Sequence, residues 1–413
     1  MRSFFGQGRR PSIALMSVLD QVFVGAASGL LVIAAAASMS PVWVGQFGLA
    51  YSVGAVLVVI LRGGFLARLT MLPSPRQVLQ SGTIGLRIIP PSALVVSLIS
   101  IFAIYVLNAS IGLSLATILV CLAFPVVLAY EILRYILVSC GQAAITVSIG
   151  FLWFLVTGVA TVVSISLNNT DVAVVIWLFS GLLAVVILST IFWTTRSSVL
   201  ATDEDSESVS PKSIPALWHF NFVVGAQAVV ALLIGFIVFT LAGAVMWAQL
   251  VVLNAVLYPL SALTQSIPLL VSGLRREEKY RVGSTITVAV IVTGMFWFLF
   301  VSWGVPNLVA TLMGETWVIS ANYLWIATIN LVAGALLGLS VTLSHYKGGD
   351  ARVRSVLLFG SLARIVFITV IVMRSESILW ILVSETLVNS LSAIVVLARR
   401  PRIMVKSDEI IGK

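Results

Sequence analysis

Charge is what this 413-residue sequence has least of: Lys, Arg, Asp and Glu together make up 9% of it, against 60% hydrophobic residues. A soluble domain carries about a quarter charged residues, so there is too little polar material here to cover a water-facing surface. Cysteine is nearly missing as well. The two present, Cys121 and Cys140, provide neither a disulfide framework nor a metal-ligand spacing. Two distant histidines, His219 and His345, exclude a histidine metal centre and a Ser-His-Asp constellation. No Gly-x-x-x-x-Gly-Lys-Ser/Thr loop exists, which removes ATP binding by that route, and no cofactor is expected.

What the chain does have is long apolar runs. Crossing a hydrocarbon core of ~30 Å takes about 20 apolar residues in a helix. Such runs span 17–37, 44–67, 88–107, 113–133, 145–167 and 172–194 in the first half, and 217–240, 245–271, 285–303, 320–343, 356–373 and 378–397 in the second. The predicted fold is therefore an all-α polytopic membrane protein of about 12 transmembrane helices in two six-helix bundles. The longest polar interval, Arg196 to Pro215, contains Asp203-Glu204-Asp205 and reads as a solvated linker. The expected units are thus a bundle over 1–199, a linker over 200–215, a second bundle over 216–398 and a tail over 399–413. Val24-Gly25-Ala26 recurs as Val224-Gly225-Ala226, a faint repeat at equivalent places in the first and seventh spans.

The net charge of +9 does not point to nucleic acid, because the basic residues sit in short loops between apolar runs. With the amino terminus inside, clusters such as Arg9-Arg10, Arg275-Arg276 and Arg399-Arg400 fall on the cytoplasmic side. Only Arg374 falls outside, and Arg62 and Arg364 lie within spans. This asymmetry places both termini in the cytoplasm of a cell whose plasma membrane the chain crosses many times. The first run is too long for a cleavable signal and carries Asp20, so a retained helix is expected. The outward loops are short, including 304–319, and the carboxylates Asp171, Glu315 and Glu376 lie in separate ones. That counts against an enzyme, and no catalytic residue is assigned. Pro125, Pro259 and Pro268 lie deep in their spans and are expected to bend or break them, while Pro90 and Pro91 are expected at the mouth of the third.

The first hairpin reads Ser40-Pro41-Val42-Trp43-Val44-Gly45-Gln46-Phe47-Gly48, and Arg62-Gly63-Gly64-Phe65 ends the second span. Proline stops the outgoing helix and glycines let the returning one pack closely. These elements resemble the start of polysaccharide flippases of the multidrug/oligosaccharidyl-lipid/polysaccharide transporter superfamily. The resemblance implies a MATE-like fold in a bacterial plasma membrane and a flippase that moves a polyprenyl-diphosphate-linked oligosaccharide by alternating access for surface polysaccharide synthesis. Its partners would be that lipid-linked glycan, membrane lipids and, alongside them, a glycan polymerase and glycosyltransferases. A drug or cation antiporter of the same superfamily, or a membrane glycan polymerase or scaffold, are the alternatives.

Charges within spans are costly and are functional candidates by default. Six stand out: Asp20, Arg62, Glu131, Arg134, Arg364 and Glu385. Depth along neighbouring spans lets Arg364 meet Glu385, either as a structural ion pair or as an arginine attracting a diphosphate beside a tuning carboxylate. Asp20 and Arg62 repeat the arrangement near the other membrane face, as an entry gate or as interfacial charges that reach water. Glu131 and Arg134, three apart, are expected to neutralise each other near the surface without further function. The candidate substrate-binding set is Arg62, Arg364, Asn221, Asn254 and Asn330, with Asp20 and Glu385 for coupling or gating. His219, Gln227, Gln265 and Asn389 are further polar groups that either bridge helices or line a hydrophilic cavity.

Overall fold

The computed structural model describes residues 10–66, 69, 72, 74–202, 222–265, 276–345, 350–374 and 377–398. Asn221, Pro268, Glu376, the side chains of 224–226 and the linker beyond Thr202 lie outside the described residues. Every regular element among the described residues is helical.

In the first half, α1 (Arg10–Ser38) turns back through Met39 and Ser40 into α2 (Pro41–Leu61). Ser40 is extended and Pro41 opens α2, where its missing N–H costs nothing because a first-turn donor has no helical acceptor. The side of the molecule bearing this turn is called the Ser40 face below. The helix α2 passes into a π-turn over Arg62–Leu66, the Arg-Gly-Gly-Phe stretch. Then come α3 (Pro75–Leu107), α4 (Leu115–Leu122), α5 (Phe124–Ser139), α6 (Ala143–Leu167) and α7 (Thr170–Thr202). The fourth span breaks at Ala123, just before Pro125, as expected of a deep proline. Pro90 and Pro91 lie inside α3 instead of at its mouth, because Ser74 caps a helix that begins at Pro75.

The second half runs through α8 (Phe222–Leu241), α9 (Ala244–Val256), α10 (Tyr258–Gln265), α11 (Arg276–Leu299) with a π-turn over Phe300–Gly304, α12 (Pro306–Ser320), α13 (Leu324–His345), α14 (Asp350–Arg374) and α15 (Ile378–Ala398). Pro259 breaks the eighth span at Leu257, and the Trp297 indole N–H donates to the Val256 carbonyl beside the break at 3.0 Å. One expectation fails. The outward loop over 304–319 is the helix α12, which packs against α1 and α9. Its buried Met313, Thr316, Trp317 and Ser320 recur at helical spacing, a face that short-run counting overlooked because the run adjoins the next span.

Among the described residues, ten helical stretches are long and apolar enough to cross a membrane, and Gln227–Leu241 and Ala244–Val256 are shorter apolar helices, which together make twelve apolar segments. Large apolar side chains face outward, with Phe102 68%, Phe359 72% and Trp303 78% exposed. In water this would be an aggregation surface; in lipid it is solvent-matched.

The helices of each half pack mainly on one another, α1 on α6 and α3 on α5 in the first, α13 on α15 and α8 on α14 in the second. The seam between halves is built by α1 and α2 against α8, α9, α10 and α12. Near the Ser40 face it is tight. A β-carbon at Gly45 would run into the Ala244 carbonyl oxygen, and one at Gly48 would stand 2.5 Å from the Val251 side chain. Glycine is what lets α2 and α9 approach this closely.

Candidate functional site

Four of the six intramembrane charges meet inside the first half. Arg62, at the start of the π-turn, gives Glu131 a two-pronged contact, with Nε donating to Oε2 and Nη2 to Oε1, each at 2.9 Å. Arg134 Nη2 donates to Glu131 Oε2 at 2.9 Å, and Arg134 Nη1 lies 3.0 Å from Asp20 Oδ2. The chain Asp20–Arg134–Glu131–Arg62 thus links α1, α5 and the end of α2. Two guanidinium groups balance two carboxylates, which is what allows charges this deep to persist. Asp20, Glu131 and Arg134 are at most 2% exposed, whereas the Arg62 side chain is 24% exposed. Gly150 on α6 makes room for the Asp20 carboxylate, since a β-carbon there would stand 3.0 Å from Oδ1.

This corrects two expectations. Asp20 and Arg62 do not pair with each other; Arg134 and Glu131 stand between them. Glu131 and Arg134 are not a surface pair either, but the buried centre of the network. Their spacing of three already put them on one helix face. Which other helices that face meets is decided by tertiary packing.

Two cavities flank α2. The smaller, about 180 Å³, is walled by Arg62, Glu131, Gln21, Ser28, Tyr51 and Tyr258 among others. The larger, about 490 Å³, lies where the halves meet and carries Gln227, Asn254, Asn330, Glu385, Tyr51 and Tyr258 among its wall residues. Asn254 and Asn330 line this larger cavity together with Glu385 and Gln227. Asn330 Nδ2 donates to Glu385 Oε2 at 2.8 Å, and Asn389 Nδ2 donates to Asn330 Oδ1 at 3.0 Å. Glu385 is thus held by an amide chain through Asn330 of α13, and among the described residues it is the only charged one on the wall of the larger cavity.

Arg364 is the exception. Among the described residues no carboxylate lies within ion-pair distance of it, its Nε is buried without a hydrogen-bond partner, and it lines neither cavity. The Arg364–Glu385 pair expected from depth along neighbouring spans is absent because depth leaves the rotation of each helix open, and Glu385 turns toward α13. Asn221 lies outside the described residues. Tyr51 and Tyr258 were missed, although Tyr51 lies three residues after the first-hairpin motif and Tyr258 precedes a helix-breaking proline. On the Ser40 face, Asp171 lines a separate polar pocket, and Glu315 lies within α12.

No protein-family profile matches the sequence, and no curated protein matches it. Fifteen solved chains do match the structure. A crystal structure of MATE in the straight conformation superposes with a TM-score of 0.62 at 13% identity, over 93% of this chain and 94% of that one. An inward-facing multidrug resistance MATE family transporter of the MOP superfamily gives 0.53 at 14% identity, over 94% and 93%. A MOP superfamily transporter from Pyrococcus furiosus, described as having a binding pocket of reversed polarity, gives 0.50 at 13% identity, over 94% and 85%. The fold is MATE-like.

Proposed function

We propose that this MATE-like fold is a flippase that carries a polyprenyl-diphosphate-linked oligosaccharide across a bacterial plasma membrane by alternating access. The observation that carries the reading is the larger cavity at the meeting of the halves. Its wall offers Gln227, Asn254 and Asn330 amides, two tyrosine hydroxyls and one carboxylate, a mixture of donors and acceptors that suits sugar hydroxyls. Arg62, partly exposed on the smaller cavity beside it, is the cationic group nearest to hand for a diphosphate. The lopsided distribution of Lys and Arg supports an arrangement with both termini in the cytoplasm and the Ser40 face outside. The glycan polymerase and glycosyltransferases proposed as partners would act before and after the translocation step.

The test is a leaflet assay. In cells lacking the gene the lipid-linked glycan should build up on the inner leaflet, and Asn254→Ala with Asn330→Ala should restore export poorly. An unchanged leaflet distribution on deletion would sink the proposal.

A drug or cation antiporter is the second reading, and Glu385 favours it as the lone charge among the described residues on the larger cavity. Glu385→Gln separates the two. A cationic substrate that relies on a charge-assisted contact should lose about 10-fold or more in affinity. A glycan, for which glutamine still offers hydrogen bonds, should lose much less.

A further inference from the structure

Three turns of the first half meet on the Ser40 face: residues 38–40 between α1 and α2, Ser114 at the start of α4, and residues 168–169 between α6 and α7. They wall a pocket of about 570 Å³, within the range of small-ligand sites, about 300–1,000 Å³. Some polar groups there are committed to shaping the turns. Asn169 Oδ1 accepts the Asp171 N–H at 3.0 Å, and Ser114 Oγ accepts the Thr117 N–H at 3.2 Å. Others are not. Thr170 stands on the pocket wall, is 3% exposed, and its Oγ1 is buried without a hydrogen-bond partner; Ser38 Oγ, on the same wall, is in the same position. Asp171 has no ion-pair partner among the described residues. A buried hydroxyl that the protein does not satisfy is a cost to folding, and valine, of the same shape, would avoid it at position 170. Trp43, half-buried, adds an aromatic side chain to the wall.

We propose that this pocket is a saccharide-binding site that takes one pyranose unit at the surface of the first half. A pyranose has an apolar C–H face and a rim of hydroxyls, each both donor and acceptor. Trp43 offers the matching apolar surface, with an indole N–H at its edge. For the rim there are the two Asp171 oxygens as acceptors, the Asn168 amide, and the Thr170 and Ser38 hydroxyls, which serve either way. An anion is disfavoured, because the one charged group on the wall among the described residues is a carboxylate. A hard cation would want more carboxylates than one. Every wall residue belongs to the first half, so occupancy does not require the halves to rock. The inference therefore goes beyond the transport reading, from which it takes only the orientation that puts the Ser40 face outside. There the sugar arrives either free in solution or on a lipid at the same surface, and the chemistry recognised is the same.

The experiment is saturation-transfer NMR on the full chain in nanodiscs, reconstituted without sugar-based detergent. The probes are the methyl glycosides of glucose, galactose, mannose and N-acetylglucosamine, with empty nanodiscs as the baseline. An Asn254→Ala, Asn330→Ala variant run alongside reports what the larger cavity contributes. Transfer to at least one glycoside is expected in both proteins. Asp171→Asn should weaken its affinity about 10-fold or more, as for a charge-assisted contact, and Thr170→Val about fivefold. Trp43→Leu should abolish it. Melting temperature separates a binding group from a structural one: Thr170→Val removes a hydroxyl with no partner in the protein and should not lower it. Competition by dodecyl glucoside doped into the bilayer would assign a lipid-borne sugar, and its absence a free one; the site stands in either case. No transfer to any glycoside overturns the proposal, as does an affinity unmoved by Asp171→Asn and Thr170→Val. Binding of inorganic phosphate that those two variants abolish, in place of glycoside binding, would make this an anion site and overturn it equally. Should Trp43→Leu fail to fold, the other two variants decide. Loss of the site with leaflet transport intact would leave the transport reading standing, and a failed leaflet assay would leave this binding measurable.

Discussion

Glu131 accepts three hydrogen bonds from two guanidinium groups, and it is 1% exposed. Removing its charge leaves Arg62 and Arg134 facing each other with only Asp20 to balance them. Glu131→Gln should therefore destabilise the protein by about 3–5 kcal/mol, seen as a lowered melting temperature in detergent. Combining it with Arg62→Gln should cost clearly less than the two single changes added, since the double variant restores neutrality. Additive losses would mean that the network is not electrostatically coupled. At this scale the sequence was legible in part. That charges occur at 20, 62, 131, 134, 364 and 385 is plain from composition against an apolar background, and their cost in lipid marks them out. Who pairs with whom was not, because pairing depends on helix rotation and on which helices are neighbours. The same reasoning explains why Glu385 holds Asn330 and not Arg364.

Individual helices are governed by their punctuation. Pro41, Pro125 and Pro259 act where a missing N–H dictates, at one helix start and two breaks. At the second break the Trp297 indole satisfies the Val256 carbonyl, so Trp297→Phe should lower stability by about 1 kcal/mol while leaving the expression level intact. The α2–α9 crossing is more demanding. Gly48→Ala puts a methyl against Val251 and should cost about 1–3 kcal/mol by overpacking. Gly158→Ala, inside α6, meets only an ordinary van der Waals contact, 3.8 Å from the Leu30 side chain, and should be neutral or slightly stabilising. Comparable losses for both would show that close packing is not what Gly48 provides. The helix α12 was read as a loop because its polar residues, Asn307, Thr311 and Glu315, dilute the hydropathy of a segment that lies across helix ends. Gly314 within it has φ 58° and ψ −154°, a conformation open in practice only to glycine, and a β-carbon there would stand 2.8 Å from the Ala36 carbonyl oxygen. Gly314→Ala should accordingly weaken the α1–α12 contact and lower the melting temperature.

For the molecule as a whole, the proposed alternating access requires the seam on the Ser40 side to open and close. A bifunctional cross-linker joining cysteines at 111 and 241 should stop translocation while substrate binding persists, and continued translocation in the cross-linked protein would refute a rocking mechanism. The approximate number of apolar segments and the all-helical architecture follow from the primary structure, because lipid forces every spanning segment to satisfy its own backbone hydrogen bonds and so to announce itself as a long apolar run. Short-range turns such as Ser40-Pro41 are equally local, since proline and glycine act through their own φ angles. What only the three-dimensional packing decided is the rotation of each helix about its axis. That rotation gathered Asp20, Arg62, Glu131 and Arg134 into one neutral cluster, set Asn330 and Glu385 on a common cavity, and placed Tyr51 and Tyr258 on the walls of both cavities. Such contacts join residues far apart in the chain, and in a bilayer the outward apolar surface is tolerant of many rotations, so no periodicity within a single span could have specified them.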